Sequence, residues 1–156
     1  MEKSIDELIE DLNDDDEFVV EEAKGLLEMR CEESTDPLIN ALKHKNKNIR
    51  LNSANVLGNI NDTKTIDHLI KLLYDNNKLV RREASTVLSR MGEPAVDPLI
   101  KVLNDPNWRV RGAAAWALGN IKNEKAIPFL EKLLDDESGF VKSGAKNAIA
   151  SIQGKT

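Results

Sequence analysis

The apolar positions of this chain recur with a fixed period. Leu8, Leu38, Leu69, Leu99 and Leu130 stand 30, 31, 30 and 31 residues apart, and Val19, Ile49, Val80, Val110 and Val141 keep the same four spacings. Two independent landmarks on one period mark a repeat array, in which each unit buries its apolar face against the next. Around each leucine the apolar residues fall at offsets −3, 0, +1 and +4, as in Ile66, Leu69, Ile70 and Leu73. That spacing is one face of a helix. Around each valine they fall at 0, +4, +8 and +11, as in Val110, Ala114, Leu118 and Ile121, which is the face of a second helix. The +4 residue is always small (Ala23, Ser53, Ala84, Ala114, Ala145), so paired helices can approach closely. The pattern predicts an all-α fold of five antiparallel helix pairs, forming one elongated domain over 1–156. The repeats fall at approximately 1–33, 34–64, 65–94, 95–125 and 126–156.

Punctuation residues refine the boundaries. Asp105-Pro106 reads as an N-cap followed by a proline in the first helical turn, and Asp14, Asp75 and Asp136 occupy the equivalent place in other repeats. Gly92 before Glu93-Pro94 closes one helix and opens the next, with Asp62 and Asn123 as caps at the corresponding junctions. Two substitutions break the pattern near the ends. Glu131 stands where the other repeats have Ile9, Ile39, Ile70 and Ile100, and reads as a capping residue of the last repeat. Arg30 stands where Ile60, Met91, Ile121 and Ile152 stand elsewhere, a gap that Met29 or Cys31 is expected to fill. Both ends thus read as finished, and the array as complete.

Three segments then carry a family likeness. Val80-Arg81-Arg82-Glu83-Ala84, Val110-Arg111-Gly112-Ala113-Ala114 and Ala115-Trp116-Ala117-Leu118-Gly119-Asn120 resemble HEAT-like repeats. The short period is similar to the subclass first described in phycobilisome lyases and common in small archaeal proteins. The resemblance spans residues 1 to 153 and is weakest in repeat one, where Val20 replaces the arginine after the valine. It implies a right-handed α-α superhelix whose second helices line a concave, protein-binding side. It also implies a ladder of acids and bases six residues apart, pairing Asp75 with Arg81, Asp105 with Arg111 and Asp136 with Lys142. Repeat two has His44 with Arg50, and Asp14 is left to pair with Arg50 across the junction. These charges read as helix caps and inter-repeat links.

Composition narrows the chemistry. Aromatic residues make up 4% and the single cysteine, Cys31, has no intramolecular partner. No apolar run approaches the roughly 20 residues of a membrane span, and the start shows no secretory signal. A cytoplasmic location without membrane association is expected, with a monomer as the oligomeric state. The net charge of −5 is unevenly spread: residues 1–33 hold 14 acids against 3 bases, net −11, and the remainder is net +6. The first repeat reads either as a solvated end cap or as a docking surface for a basic partner. His44 and His68 lie in different repeats, and His44, in a basic turn, is expected to be solvated. The His-Glu pairs that bind iron in HEAT-like hydroxylases are absent at both. Asp11, Asn13, Asp15, Glu17 and Glu22 match the ligand spacing of an EF-hand, but Asp16 stands where its glycine belongs. Nor is there a phosphate loop or a nucleophile elbow. The chain is therefore read as a non-enzyme with no cofactor and no metal.

The working surface is read from the second helices. If offsets 0, +4, +8 and +11 face the core, offsets +2, +5, +6 and +9 face the open side at 100° per residue. There Trp116 would stand over Gly112, Ala115 and Gly119, with Trp108 near the helix start and Arg82, Arg90 and Arg109 adding positive charge. Exposed aromatic residues among small neighbours are typical of interface anchors, although inter-repeat packing by Trp116 is an equal possibility at this point. The partner-binding candidates are Trp116, Trp108, Arg82, Arg109, Gly112, Ala115 and Gly119. The expected function is a protein-binding scaffold or adaptor for another protein. On the resemblance alone, an accessory subunit of a chromophore lyase or other modifying enzyme is the alternative. Nucleic-acid binding ranks last, because a pI of about 5.2 leaves no dominant basic face.

Overall fold

The computed structural model describes residues 2–155. Ten α-helices succeed one another: α1 (Ile5–Asp11), α2 (Glu17–Met29), α3 (Cys31–Ala41), α4 (Lys47–Ile60), α5 (Ile66–Leu72), α6 (Lys78–Met91), α7 (Val96–Lys101), α8 (Trp108–Ile121), α9 (Ile127–Glu131) and α10 (Gly139–Ile152). No strand occurs among the described residues. Each odd-numbered helix packs on the even-numbered helix that follows it, and the second helices stack in order, α2 on α4, α4 on α6, α6 on α8 and α8 on α10. The five helix pairs share one continuous core, an α-α solenoid. All five landmark leucines are fully buried, as are Ile49, Val80, Val110 and Val141. Val19 is only half-buried.

Short 3-10 turns lead into the first helices of later repeats, at Thr63–Thr65, Glu93–Ala95 and Glu124–Ala126. Asp62 and Asn123 cap two of them, accepting from Lys64 N and Lys125 N. The third follows Gly92, whose φ of +74° lies in the region that side chains avoid. The first junction has no such turn. Helix α3 starts at Cys31, three residues before the boundary read from the sequence, directly after Arg30 closes α2. Arg30 itself turns outward, donating to Lys3 O at 2.8 Å and to Glu33 at 3.0 Å. Met29 does not fill the gap that Arg30 leaves: it is 81% exposed, and only Cys31 is partly covered.

The N-caps of the second helices sit two residues later than the sequence suggests. They are Asp16, Asn46, Asn77, Asn107 and Ser138. The expected caps act one step earlier: Asp14, Asp75, Asp105 and Asp136 each accept the backbone N–H of the cap residue at 2.8–2.9 Å. The helix cannot begin until this two-residue side-chain turn has closed, so Pro106 lies in the turn rather than in the helix. In repeat two the imidazole of His44 does the same job, its Nδ1 accepting from Asn46 N at 3.0 Å. His44 is therefore half-buried and structural rather than solvated, with Nε2 3.4 Å from Glu10.

The charge ladder runs between repeats instead of within them. Arg50 grips Asp75 through Nε and Nη2 at 2.8 and 3.1 Å, and Arg111 grips Asp136 through the same atoms at 2.9 Å each. Within a repeat, the arginine reaches only the backbone: Arg81 Nη1 donates to Asp75 O and Arg111 Nη1 to Asp105 O. The acid's carboxylate is already aimed into its own turn, so the guanidinium passes over that turn to the carboxylate of the next repeat. The expected partnerships of Asp75 with Arg81, Asp105 with Arg111, Asp136 with Lys142 and Asp14 with Arg50 are accordingly absent as side-chain pairs among the described residues. The cross-repeat rule also explains two sequence exceptions together: Val20 offers no cation, and the position it would have served holds His44 instead of an acid.

Candidate functional site

An open groove of about 620 Å³ lies across α6, α8 and α10. Helix α6 contributes Lys78, Arg81 and Arg82 to its wall, α8 contributes Trp108, Arg109 and Trp116, and α10 contributes Phe140. The aromatic residues are exposed: Trp116 at 49%, Trp108 at 42% and Phe140 at 63%. Phe140 meets Trp108 edge to face, with ring centroids 5.5 Å apart at 77°. On Trp108 lies the guanidinium of Arg109, 4.8 Å from the ring centroid. Such stacking fixes the cation while leaving its N–H edge free to bind. None of the four cations in the wall forms an ion pair among the described residues.

Arg81 owes its freedom to Tyr74. By the ladder rule it should grip Asp105, yet the Tyr74 hydroxyl donates to that carboxylate instead. Arg81 keeps a single link, to Asp75 O at 2.8 Å, and faces the groove. The hydrogen bond to Asp105, with partial burial and the negative carboxylate behind it, pushes the Tyr74 phenol up to about 12. The neutral phenol is the form favoured by folding, so this contribution is intact below about pH 10, the unfolded value, and fades as pH rises towards 12. Tyr74 is the one tyrosine of the chain, which makes the measurement direct. An ultraviolet phenolate titration is expected to have its midpoint near 12 in the native protein and near 10 in Asp105→Asn.

The sequence-derived surface is partly redrawn. Trp116, Trp108, Arg82, Arg109 and Gly112 come together on the groove. Ala115 does not reach it, being fully buried like Ala54, because the +5 face lies under the neighbouring second helix. Ser85, at the same offset, donates to Ala113 O of the next repeat at 3.0 Å. Gly112 and Gly119 are buried where α10 crosses α8: a Cβ at 112 would lie 2.6 Å from the Phe140 ring, and one at 119 would lie 2.8 Å from Ala148 Cα. Gly119 therefore serves close helix approach instead of making a shallow floor. Arg90 is drawn away into a polar string in which it donates to Asn59 and Asn59 donates to Glu28, at 3.2 and 2.7 Å.

Lys78, Arg81 and Phe140 were missed by the offset argument because they sit at the helix starts, outside the chosen stripe. The signal was nevertheless present, since the residue before the landmark valine is bulky and exposed at Phe18, Leu79 and Phe140. Of the acids with EF-hand spacing, Asp11 is paired with Lys3 at 2.6 Å. Among the described residues, no three of His, Cys, Asp and Glu converge on a position for a metal ion, and no helix is long and apolar enough to cross a membrane.

A family model described as HEAT repeats matches residues 5–84 and 66–150. No curated protein matches the sequence. Among solved structures, the complex of CpcE and CpcF of phycocyanin lyase from Nostoc sp. PCC7120 aligns with a TM-score of 0.60 at 23% identity, over 99% of this chain and 66% of that chain. Human deoxyhypusine hydroxylase aligns with a TM-score of 0.65 at 21% identity, over 96% of this chain and 62% of that one. The archaeal HEAT-like repeats protein from Thermococcus onnurineus NA1 gives 0.57 at 18%, over 97% and 71%. At these identities the likeness is one of fold, and this chain spans less than two thirds of the length of the first two.

Proposed function

The chain belongs to the HEAT repeat family, and from that premise we propose that it is a non-catalytic scaffold that binds another protein through the groove of α6, α8 and α10. The observation that carries this reading is the pairing of two half-exposed tryptophans with four cations that have no ion-pair partner among the described residues. A surface of this kind is costly to leave wet and is typical of the buried centre of an interface. The tryptophans would supply desolvation and the cations would steer approach and set register. The same proposal places it in the cytoplasm as a monomer, where the half-buried, unpaired Cys31 would stay reduced. An accessory role in a chromophore lyase has the fold in its favour and no residue of this groove, and the acidic first repeat disfavours a polyanion such as nucleic acid.

The test is a pull-down from lysate of the source organism with identification by mass spectrometry, using wild type beside Trp116→Arg. Trp116 is half exposed, so the variant is expected to fold and to melt within a few degrees of wild type. At least one protein is expected to be retained by wild type and lost by the variant. Identical sets on both would refute the groove as the binding site.

A further inference from the structure

We infer that the groove of α6, α8 and α10 takes an acidic polypeptide segment carrying a bulky apolar side chain. This rests on the scaffold reading and specifies its partner. Lys78, Arg81, Arg82 and Arg109 crowd one groove, and no carboxylate lines it. Self-repulsion among four such charges is relieved by a ligand that brings carboxylates to them. Two of the four are held ready for the task. Arg109 is stacked on Trp108, which orders its plane and leaves the edge donors for a bidentate carboxylate. Arg81 is anchored by Nη1 on Asp75 O while Tyr74 occupies the acid that it would otherwise grip. In the same groove, Trp116 and the Trp108–Phe140 pair offer exposed apolar surface for a bulky side chain.

Nucleic acid satisfies fewer of these features. The cationic patch ends at α6: on that helix Glu83 accepts from Asn55 of α4 at 3.0 Å, on α2 Glu28 accepts from Asn59, and repeat one is net −11. A phosphate backbone running past the groove would meet these acids. A peptide ends its acidic stretch where the cations end.

The proposal is tested by panning a random peptide library displayed on phage against wild type, Arg82→Glu/Arg109→Glu and Trp116→Arg, each confirmed folded by its helical circular dichroism and melting temperature. The expected result is enrichment on wild type of sequences with clustered Asp or Glu around an aromatic or large aliphatic residue. Synthetic versions should lose about tenfold or more in affinity on the double charge reversal, and should also weaken as salt is raised. Enrichment of neutral or basic peptides that depend on Trp116 would overturn the acidic assignment while leaving the scaffold reading intact. Failure to enrich any peptide on wild type would overturn it as well, with the lysate experiment deciding the scaffold reading separately. Displacement of a bound acidic peptide by a single-stranded oligonucleotide of higher affinity would transfer the groove to nucleic acid.

Discussion

Replacing Arg111 with alanine is expected to destabilise the protein by about 3 kcal/mol, the cost of stranding one member of a buried ion pair. The residue is 7% exposed and its side chain makes four hydrogen bonds: two to the Asp136 carboxylate at 2.9 Å, one to Asp105 O at 2.9 Å and one to Pro106 O at 3.1 Å. Without it, the largely covered Asp136 carboxylate loses its cation, and two carbonyls lose a donor. The damage should concentrate in α9 and α10, since in a repeat array each unit is held mainly by its neighbours. Hydrogen exchange that quickens there first, together with a drop of about 10 °C in melting temperature, checks this. Arg81→Ala, at the equivalent place, should change stability by less than about 1 kcal/mol, because it removes one backbone contact and no ion pair. Equal costs at the two positions would sink the cross-repeat ladder.

The pH dependence of the Arg111 effect has a definite sign. The Arg111 hydrogen bond, aided by the Ser138 amide, holds the Asp136 carboxyl below the usual carboxylate range against the opposing pull of burial. A depressed acid contributes stability that is complete above its unfolded value, about 4, and is lost as pH falls through the folded value. Denaturant midpoints of wild type and Arg111→Ala should therefore be furthest apart near neutrality and converge below pH 4.

The second large effect is steric. Gly119→Val is expected to cost about 3 kcal/mol, the upper end for overpacking a close contact. A Cβ at 119 would lie 2.8 Å from the Ala148 Cα and 2.9 Å from its Cβ. Backbone is in the way, so α10 must move off α8 for any side chain to fit. Gly112 lies on the same interface, yet its obstruction is the Phe140 ring, which is exposed and can swing aside, so Gly112→Ala should cost less. The converse holds at Gly25, where nothing lies within 4 Å in the middle of α2. Gly25→Ala is expected to stabilise by up to about 1 kcal/mol through helix propensity alone. Thermal denaturation of the three variants checks the order. If Gly119→Val matched wild type, the close crossing of α8 and α10 would be refuted.

The period, the helix pairs and nearly the whole core were legible in the sequence, because burial every three or four residues leaves an unambiguous trace in Leu, Val and Ala positions. The side-chain turns were not. Asp75 and Asn77 are both good caps by composition, and only the backbone geometry decides that the first prepares the second. The direction of the ladder was hidden for a related reason: a spacing of six along the chain says nothing about a partner 25 residues away. The co-occurrence of Val20 and His44 was the clue that could have revealed it. On the groove, Trp108, Trp116, Arg82 and Arg109 were found because they are conspicuous on a helical wheel. Ala115 and Gly119 were misread as floor, since smallness signals close approach of a neighbour as readily as an open surface, whereas Gly112 lines the groove beside the Phe140 ring. Arg81 carried no sequence mark of its freedom, which depends on a tyrosine in the turn of its own helix pair.

The central claim is that the face of α6, α8 and α10 meets another protein. The most direct measurement places a photoreactive p-benzoylphenylalanine at Thr86, on the groove wall, and in a parallel sample at Lys101, on the exposed side of α7. After irradiation in lysate of the source organism, adducts are read by mass spectrometry. The expected result is a discrete protein adduct at position 86, suppressed by Trp116→Arg in the same chain, with none at position 101. Adducts at 101 that position 86 lacks, or adducts at 86 that survive Trp116→Arg unchanged, would contradict the account.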